Sequence, residues 1–290
     1  MMKKRWVKRI GALGTAIGLL VNASPLWAAP PPFANADLST PGTSRTLVLP
    51  PAADNADVID LGDGVDPQTG KVVQGLAFID YKKGFSHKPQ HPNNNGGAGN
   101  SCYAYLASGA KWKTEEPWVV NPDNTEGLGG EFVFNNLTAS IDEWEDAADG
   151  VLGNGVRVGI LGGGVTTSGL LVADTDSPDG QNEVYFGDIT NQGAIAVTIV
   201  WGVFSGPPWG RELVEWDQVY DQVDFDWSDS GEAGKMDFEN INEHELGHST
   251  GMGHPDDSCT EETMYRYADY GETKKRDLNS GDIAGINNLY

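Results

Sequence analysis

Three of the five histidines in this 290-residue chain fall within eleven consecutive positions, His244-Glu245-Leu246-Gly247-His248-Ser249-Thr250-Gly251-Met252-Gly253-His254. No other stretch constrains the fold as tightly. Residues four apart share one face of an α-helix, so His244 and His248 can present two imidazoles to one metal ion. Gly251 accepts the left-handed backbone that ends a helix and reverses the chain, which brings His254 round as a third ligand. Three protein ligands with a fourth position left to water is the catalytic arrangement of zinc, not the closed structural one. Glu245 stands beside the ligands, where it can take the proton of that water as it attacks a carbonyl. The pattern therefore points to hydrolysis of an amide bond. Met264 follows ten positions after the last histidine. Histidines on a solvated helix face would explain an isolated H-E-x-x-H, but not the longer element. A zinc site that has lost its chemistry is the other alternative, and the presence of Glu245 argues against it.

The chain opens on a basic head, Met1-Met2-Lys3-Lys4-Arg5-Trp6-Val7-Lys8-Arg9, then an apolar run from Ile10 to Val21 and Leu26-Trp27-Ala28-Ala29. This is the layout of a secretory signal peptide over residues 1–28, cleaved after Ala28 and bacterial in style. The run is short and glycine-rich for an anchor, and Pro30-Pro31-Pro32 follows. A secreted protein is expected, extracellular or, in a host with two membranes, periplasmic, without stable membrane insertion after cleavage. Five of the 19 Lys and Arg and none of the 42 Asp and Glu lie before residue 29, so the remainder carries a net charge near −28. Such acidity repels nucleic acid and anionic membranes and excludes them as expected partners. The two cysteines are Cys102 and Cys259. An even count in an oxidising compartment favours one disulfide. The competing reading makes Cys102 a thiolate capping the zinc of a latent precursor.

Residues 29–101 are rich in Pro, Gly, Asn and Asp and read as a propeptide or N-terminal extension, with a plain linker as the alternative. Val72-Val73-Gln74-Gly75-Leu76-Ala77-Phe78-Ile79 reads as a strand within it. His87 and His91 sit beside prolines and read as a stray polar pair, not a second metal site. Residues 102–290 read as one catalytic domain. Trp112 and Pro117-Trp118-Val119-Val120-Asn121-Pro122 suggest a first strand. Phe134, Leu137, Ile141, Trp144 and Ala148 recur at helical spacing, with acidic residues opposite. Strands are expected at 156–161, 183–186, 195–200 and 213–220. The histidine helix follows, capped by Asp237, and a final helix from Asn279-Ser280 buries Ile283, Ile286 and Leu289. This order predicts an α+β fold: a twisted mixed sheet packed with an N-terminal helix, an active-site helix and a C-terminal helix.

The stretch from Met236-Asp237-Phe238-Glu239-Asn240-Ile241-Asn242-Glu243-His244 through His254 resembles the active-site helix of matrixins, within the metzincin zinc endopeptidases. Met264-Tyr265 resembles their Met-turn, Leu278-Asn279-Ser280-Gly281-Asp282-Ile283-Ala284-Gly285-Ile286 with Leu289-Tyr290 their last helix, and Lys111-Trp112 the way such domains begin. The resemblance spans about residues 102–290. It implies Zn2+ held by His244, His248 and His254, Glu245 as catalytic base, a hydrophobic floor at Met264, and a protein or peptide substrate bound antiparallel to an edge strand. The loop from His254 through Tyr270 should line the specificity pocket, shaped by Tyr265 and Tyr267.

Departures from the family pattern matter as well. There is no P-R-C-G-x-P-D-like segment for latency through a propeptide cysteine. Too few histidines remain for the family's second, structural zinc, Arg266 stands where a proline is usual, and no propeller domain follows Tyr290. Ca2+ is common in the family, and Asp174-Thr175-Asp176-Ser177-Pro178-Asp179-Gly180 is oxygen-rich, but its spacing misses the EF-hand pattern and an acidic loop explains it equally. A secreted zinc endopeptidase is the expectation. The alternatives are a zinc-containing binding module without proteolysis and a hydrolase of a non-peptide amide of the cell-wall type.

Overall fold

The computed structural model of the chain describes residues 45–50, 56–85 and 102–290; the expected signal segment at 1–28 and the pair His87 and His91 lie outside them. The strands in chain order are β1 (Thr46–Leu47), β2 (Val58–Val65), β3 (Val72–Lys82), β4 (Ala104–Tyr105), β5 (Trp118–Asn121), β6 (Gly164–Thr166), β7 (Asn182–Ile189), β8 (Ala194–Val203), β9 (Glu212–Asp221), β10 (Trp227–Ser228), β11 (Met236–Asp237), β12 (Met252–Gly253) and β13 (Tyr267–Ala268). The helices are α1 (Gly130–Ala147), α2 (Phe238–Thr250) and α3 (Ser280–Leu289).

Nine strands form one mixed sheet in the order β13-β3-β8-β9-β7-β5-β6, with β2 also on β3 and β1 also on β7. Strands β5, β6, β7 and β9 are parallel to one another, whereas β8 runs antiparallel to both β9 and β3. Strand β8 is buried at nine of its ten positions. Both its faces are covered, so it reads as a continuous apolar run without alternation. One face of the sheet meets the helices through Phe186, Trp216, Tyr220 and Trp144. The other closes over a second cluster around Val73, Ile79, Val197, Ile199 and Trp201. This is the expected α+β architecture.

Helix α1 buries Leu137, Ile141 and Trp144, with Val133 in the core where Phe134 was expected; Phe134 is half-buried. Trp144 Nε1 donates to Glu243 O at 3.0 Å, which fixes α1 against α2. Asp237 Oδ1 accepts from Asn240 N at 3.0 Å and caps α2, while Arg276 holds both oxygens of the same carboxylate. At the start of α3, Asn279 and Asp282 form a capping box.

One expected strand is not there. Residues 156–161 are irregular, and the strand lies further on, at β6. The reason is the Glu145 side chain of α1, whose Oε1 accepts from Ile160 N at 2.7 Å and Leu161 N at 3.1 Å, while Glu145 O accepts from Val158 N at 3.0 Å. A helix thus satisfies the amides that a neighbouring strand would have taken. Ile160 and Leu161 of that stretch are buried in the core without joining the sheet, and Val156 is exposed.

Candidate metal centre

His244 and His248 lie one turn apart on α2, and both are fully buried. Gly251 ends the helix at φ 109°, a left-handed value, and the chain returns so that His254 Nε2 lies 3.2 Å from His244 Nε2 and 3.1 Å from His248 Nε2. The other ring nitrogens are tied down. His244 Nδ1 lies 2.7 Å from Thr263 O, and His248 Nδ1 lies 3.0 Å from Met252 O. A carbonyl only accepts, so each of these rings places its proton there and turns a lone pair to the centre. His254 Nδ1 faces the Asp57 carboxylate at 3.4 Å.

Lone pairs converging in a buried space repel unless a cation stands among them. Zn–N bonds of about 2.0–2.1 Å in a tetrahedral site place the nitrogens roughly 3.3 Å apart, close to the spacing seen here. Burial lowers the pKa of His244 and His248 well below 6.5, with repulsion from Lys275 and from neighbouring rings adding to it. Burial also lowers that of His254, against the opposing pull of Asp57. The rings are therefore held in the neutral form a metal requires. Donor type, spacing and protonation all fit zinc.

Glu245 is fully buried beside the cluster. Its Oε2 accepts from Thr198 Oγ1 of β8 at 2.5 Å, and its Oε1 has no partner. Burial, then the charge of Asp80, pushes its pKa well above the usual carboxylate range. Met264 lies beneath, its sulfur against the backbone of α2 at Gly247. Asp282 of α3 holds that turn by accepting from Thr263 N at 2.7 Å and Met264 N at 3.1 Å. Tyr265 and Tyr267 follow half-buried, ring centroids 5.5 Å apart. Arg266 between them is buried, paired with Asp57 at 2.5 Å and Asp257 at 2.8 Å. Cys102 and Cys259 form a disulfide that ties the start of the domain to the loop after His254.

Several neighbours of the site carry no sequence signal. Thr198 and Asp57 come from distant strands and loops, and Phe78 of β3 stacks on His248 at 4.4 Å. The side of β8 away from β9 is covered by β3 along Gln74 to Tyr81. A second carboxylate group also emerges. Asp174, Glu215 and Asp217 place ligand oxygens within 4.8 Å of one another, and Asp174 Oδ2 and Glu215 Oε1 are buried without partners. Two of these three come from β9, so the loop pattern alone could not show the cluster.

The family model described as Matrixin matches residues 104–290. No curated protein matches the chain.

Proposed function

The chain belongs to the matrixin family, a family of zinc metallopeptidases, and from that premise we propose that it is a secreted zinc endopeptidase with Glu245 as general base and His244, His248 and His254 as ligands. The observation that carries this is the convergence of three Nε2 atoms next to a buried, half-partnered glutamate. When bound, zinc supplies a Lewis acid for the scissile carbonyl and activates water. The residues of the chain do the rest. Glu245 takes the proton of the attacking water and returns it to the leaving amine. Its burial raises its basicity, and Thr198 holds one oxygen so that the other faces the reacting atoms. Met264 and Asp282 keep the floor fixed beneath the ligands. Tyr265 and Tyr267 line the specificity pocket of an extended peptide.

The disulfide, the signal segment at 1–28 and the acidic surface support a location outside the cytoplasm. No helix among the described residues is long and apolar enough to cross a membrane. The Asp174, Glu215 and Asp217 cluster, with two buried oxygens lacking partners, suits a structural calcium ion with oxygen ligands only.

The test is cleavage of a denatured protein and a peptide library, with the metal content of each sample measured. The full chain and a form cut at a protease site inserted into residues 86–101, with the segment before the cut removed, are both assayed. Glu245→Gln should keep its zinc and lose about 10²–10⁴-fold in rate. Zinc uptake with no cleavage by either form would remove the endopeptidase reading in favour of a binding module or a non-peptide amidase.

A further inference from the structure

Strand β3 lies outside the part of the chain that matches the family, which begins at residue 104. Without it, β8 would be the edge of the sheet next to α2. Strand β3 fills that edge along its length, antiparallel to β8 from Gln74 to Tyr81, and meets β13 in parallel at Tyr81 and Lys82. It is thereby an extended segment held between the strand above the metal site and the segment after Met264. A peptide substrate of this site would need the same main-chain partners.

Side-chain alternation along β3 is informative. Residues two apart share a face, so Leu76, Phe78 and Asp80 point together toward α2. Leu76 and Phe78 join the core there. Asp80, next in that row, is fully buried where a third apolar residue would be expected. One oxygen of Asp80, a ring nitrogen of His244 and an oxygen of Glu245 lie within 4.8 Å of one another, and neither Asp80 oxygen has a hydrogen-bond partner. A carboxylate in a dry interior without a hydrogen-bond partner stays charged only beside a cation. Lys275 is the nearby fixed cation acting on both Asp80 and Glu245, and it forms no ion pair with either. A single ammonium does not balance two buried carboxylates. A divalent ion at the three histidines does.

We propose that Asp80 is an additional, self-supplied ligand of the active-site metal, occupying the position that water and substrate need, and that β3 holds the place of a substrate strand, so that the intact chain is latent. The proposal rests on the zinc-peptidase reading above. Loss of β3 from the edge would free the fourth position and the strand edge together.

The full chain is loaded with cobalt(II) in place of zinc and titrated with acetohydroxamate while the visible spectrum is recorded. Wild type should take up cobalt with a spectrum that low hydroxamate concentrations leave unchanged. Asp80→Asn and Asp80→Ala should have an altered spectrum before titration and bind hydroxamate about tenfold or more tightly, because the competing ligand is gone. Asp80→Asn keeps the shape of the side chain, so its far-ultraviolet dichroism should match wild type. Equal hydroxamate affinity in cobalt-loaded wild type and Asp80→Asn, with unchanged spectra, overturns the assignment and leaves Asp80 as a counter-charge for Lys275. If wild type takes up no more cobalt than a His244→Ala chain, the metallopeptidase reading falls and this proposal falls with it.

Discussion

Gly247 is an unspecified position of the H-E-x-x-H pattern, yet the structure makes it one of the least replaceable residues of α2. A Cβ built there would stand 2.1 Å from Met264 Sδ, 2.7 Å from Trp144 Cζ2 and 3.1 Å from Met264 Cε. Both neighbours are fully buried. Trp144 cannot swing away without breaking its 3.0 Å bond to Glu243 O, so Met264 must yield. Two effects of opposite sign compete in Gly247→Ala. Alanine is favoured over glycine inside a helix by about 1 kcal/mol. Forcing a methyl into a packed core costs about 1–3 kcal/mol. Overpacking should win, with a net loss of about 1 kcal/mol and up to about 2 kcal/mol. Urea unfolding of the metal-free protein, followed by circular dichroism, measures this without metal linkage. A midpoint shifted down at constant slope is the expected result, together with weaker zinc binding as the floor is displaced. A gain of about 1 kcal/mol, the outcome of helix propensity alone, would refute the claim that Met264 is packed against this turn.

Two further outcomes follow from features away from the histidines. The Cys102–Cys259 bridge joins residues 157 apart, so Cys102→Ser with Cys259→Ser should lower unfolding stability by about 2–4 kcal/mol, read from urea midpoints; an unchanged midpoint would show that the bridge constrains nothing. Burial first, with nearby carboxylates adding, raises Glu183 to about 7 and Glu215 to about 10. These groups keep protons in the folded state that the unfolded chain has released above about 4.5. Their contribution to stability is therefore whole below that value and is lost as pH rises through 7 and toward 10. A calcium ion among Asp174, Glu215 and Asp217 that replaces the proton of Glu215 should raise the melting temperature more at pH 8 than at pH 5, and equal shifts by calorimetry would count against a calcium site there.

The histidine element was legible because its geometry is local. Helical spacing and one glycine decide that the three imidazoles can meet, and the structure adds only the 3.1–3.2 Å separations. The caps at Asp237 and Asn279 were legible for the same reason, since a cap acts within one turn. Residues 156–161 misled because β-propensity cannot register a glutamate on a preceding helix that takes the amides of the segment. Nothing in the loop at Asp174 announced that Glu215 and Asp217 complete its cluster from β9.

By itself, then, the sequence determined the spacing of the three histidines and of Glu245 among them, the caps that start α2 and α3, and the α+β order of elements, all of which follow from spacing over a few residues. Only the tertiary structure decided what surrounds that donor set. Thr198 reaches Glu245 across 47 residues and Asp57 reaches Arg266 across 209, while β3 lies along β8 instead of leaving it at the edge. Strand order and register are settled by burying whole faces of a sheet at once, a non-local balance that no short periodicity encodes. The same burial brings Asp80 to His244 and Glu245 and leaves its carboxylate without a hydrogen-bond partner.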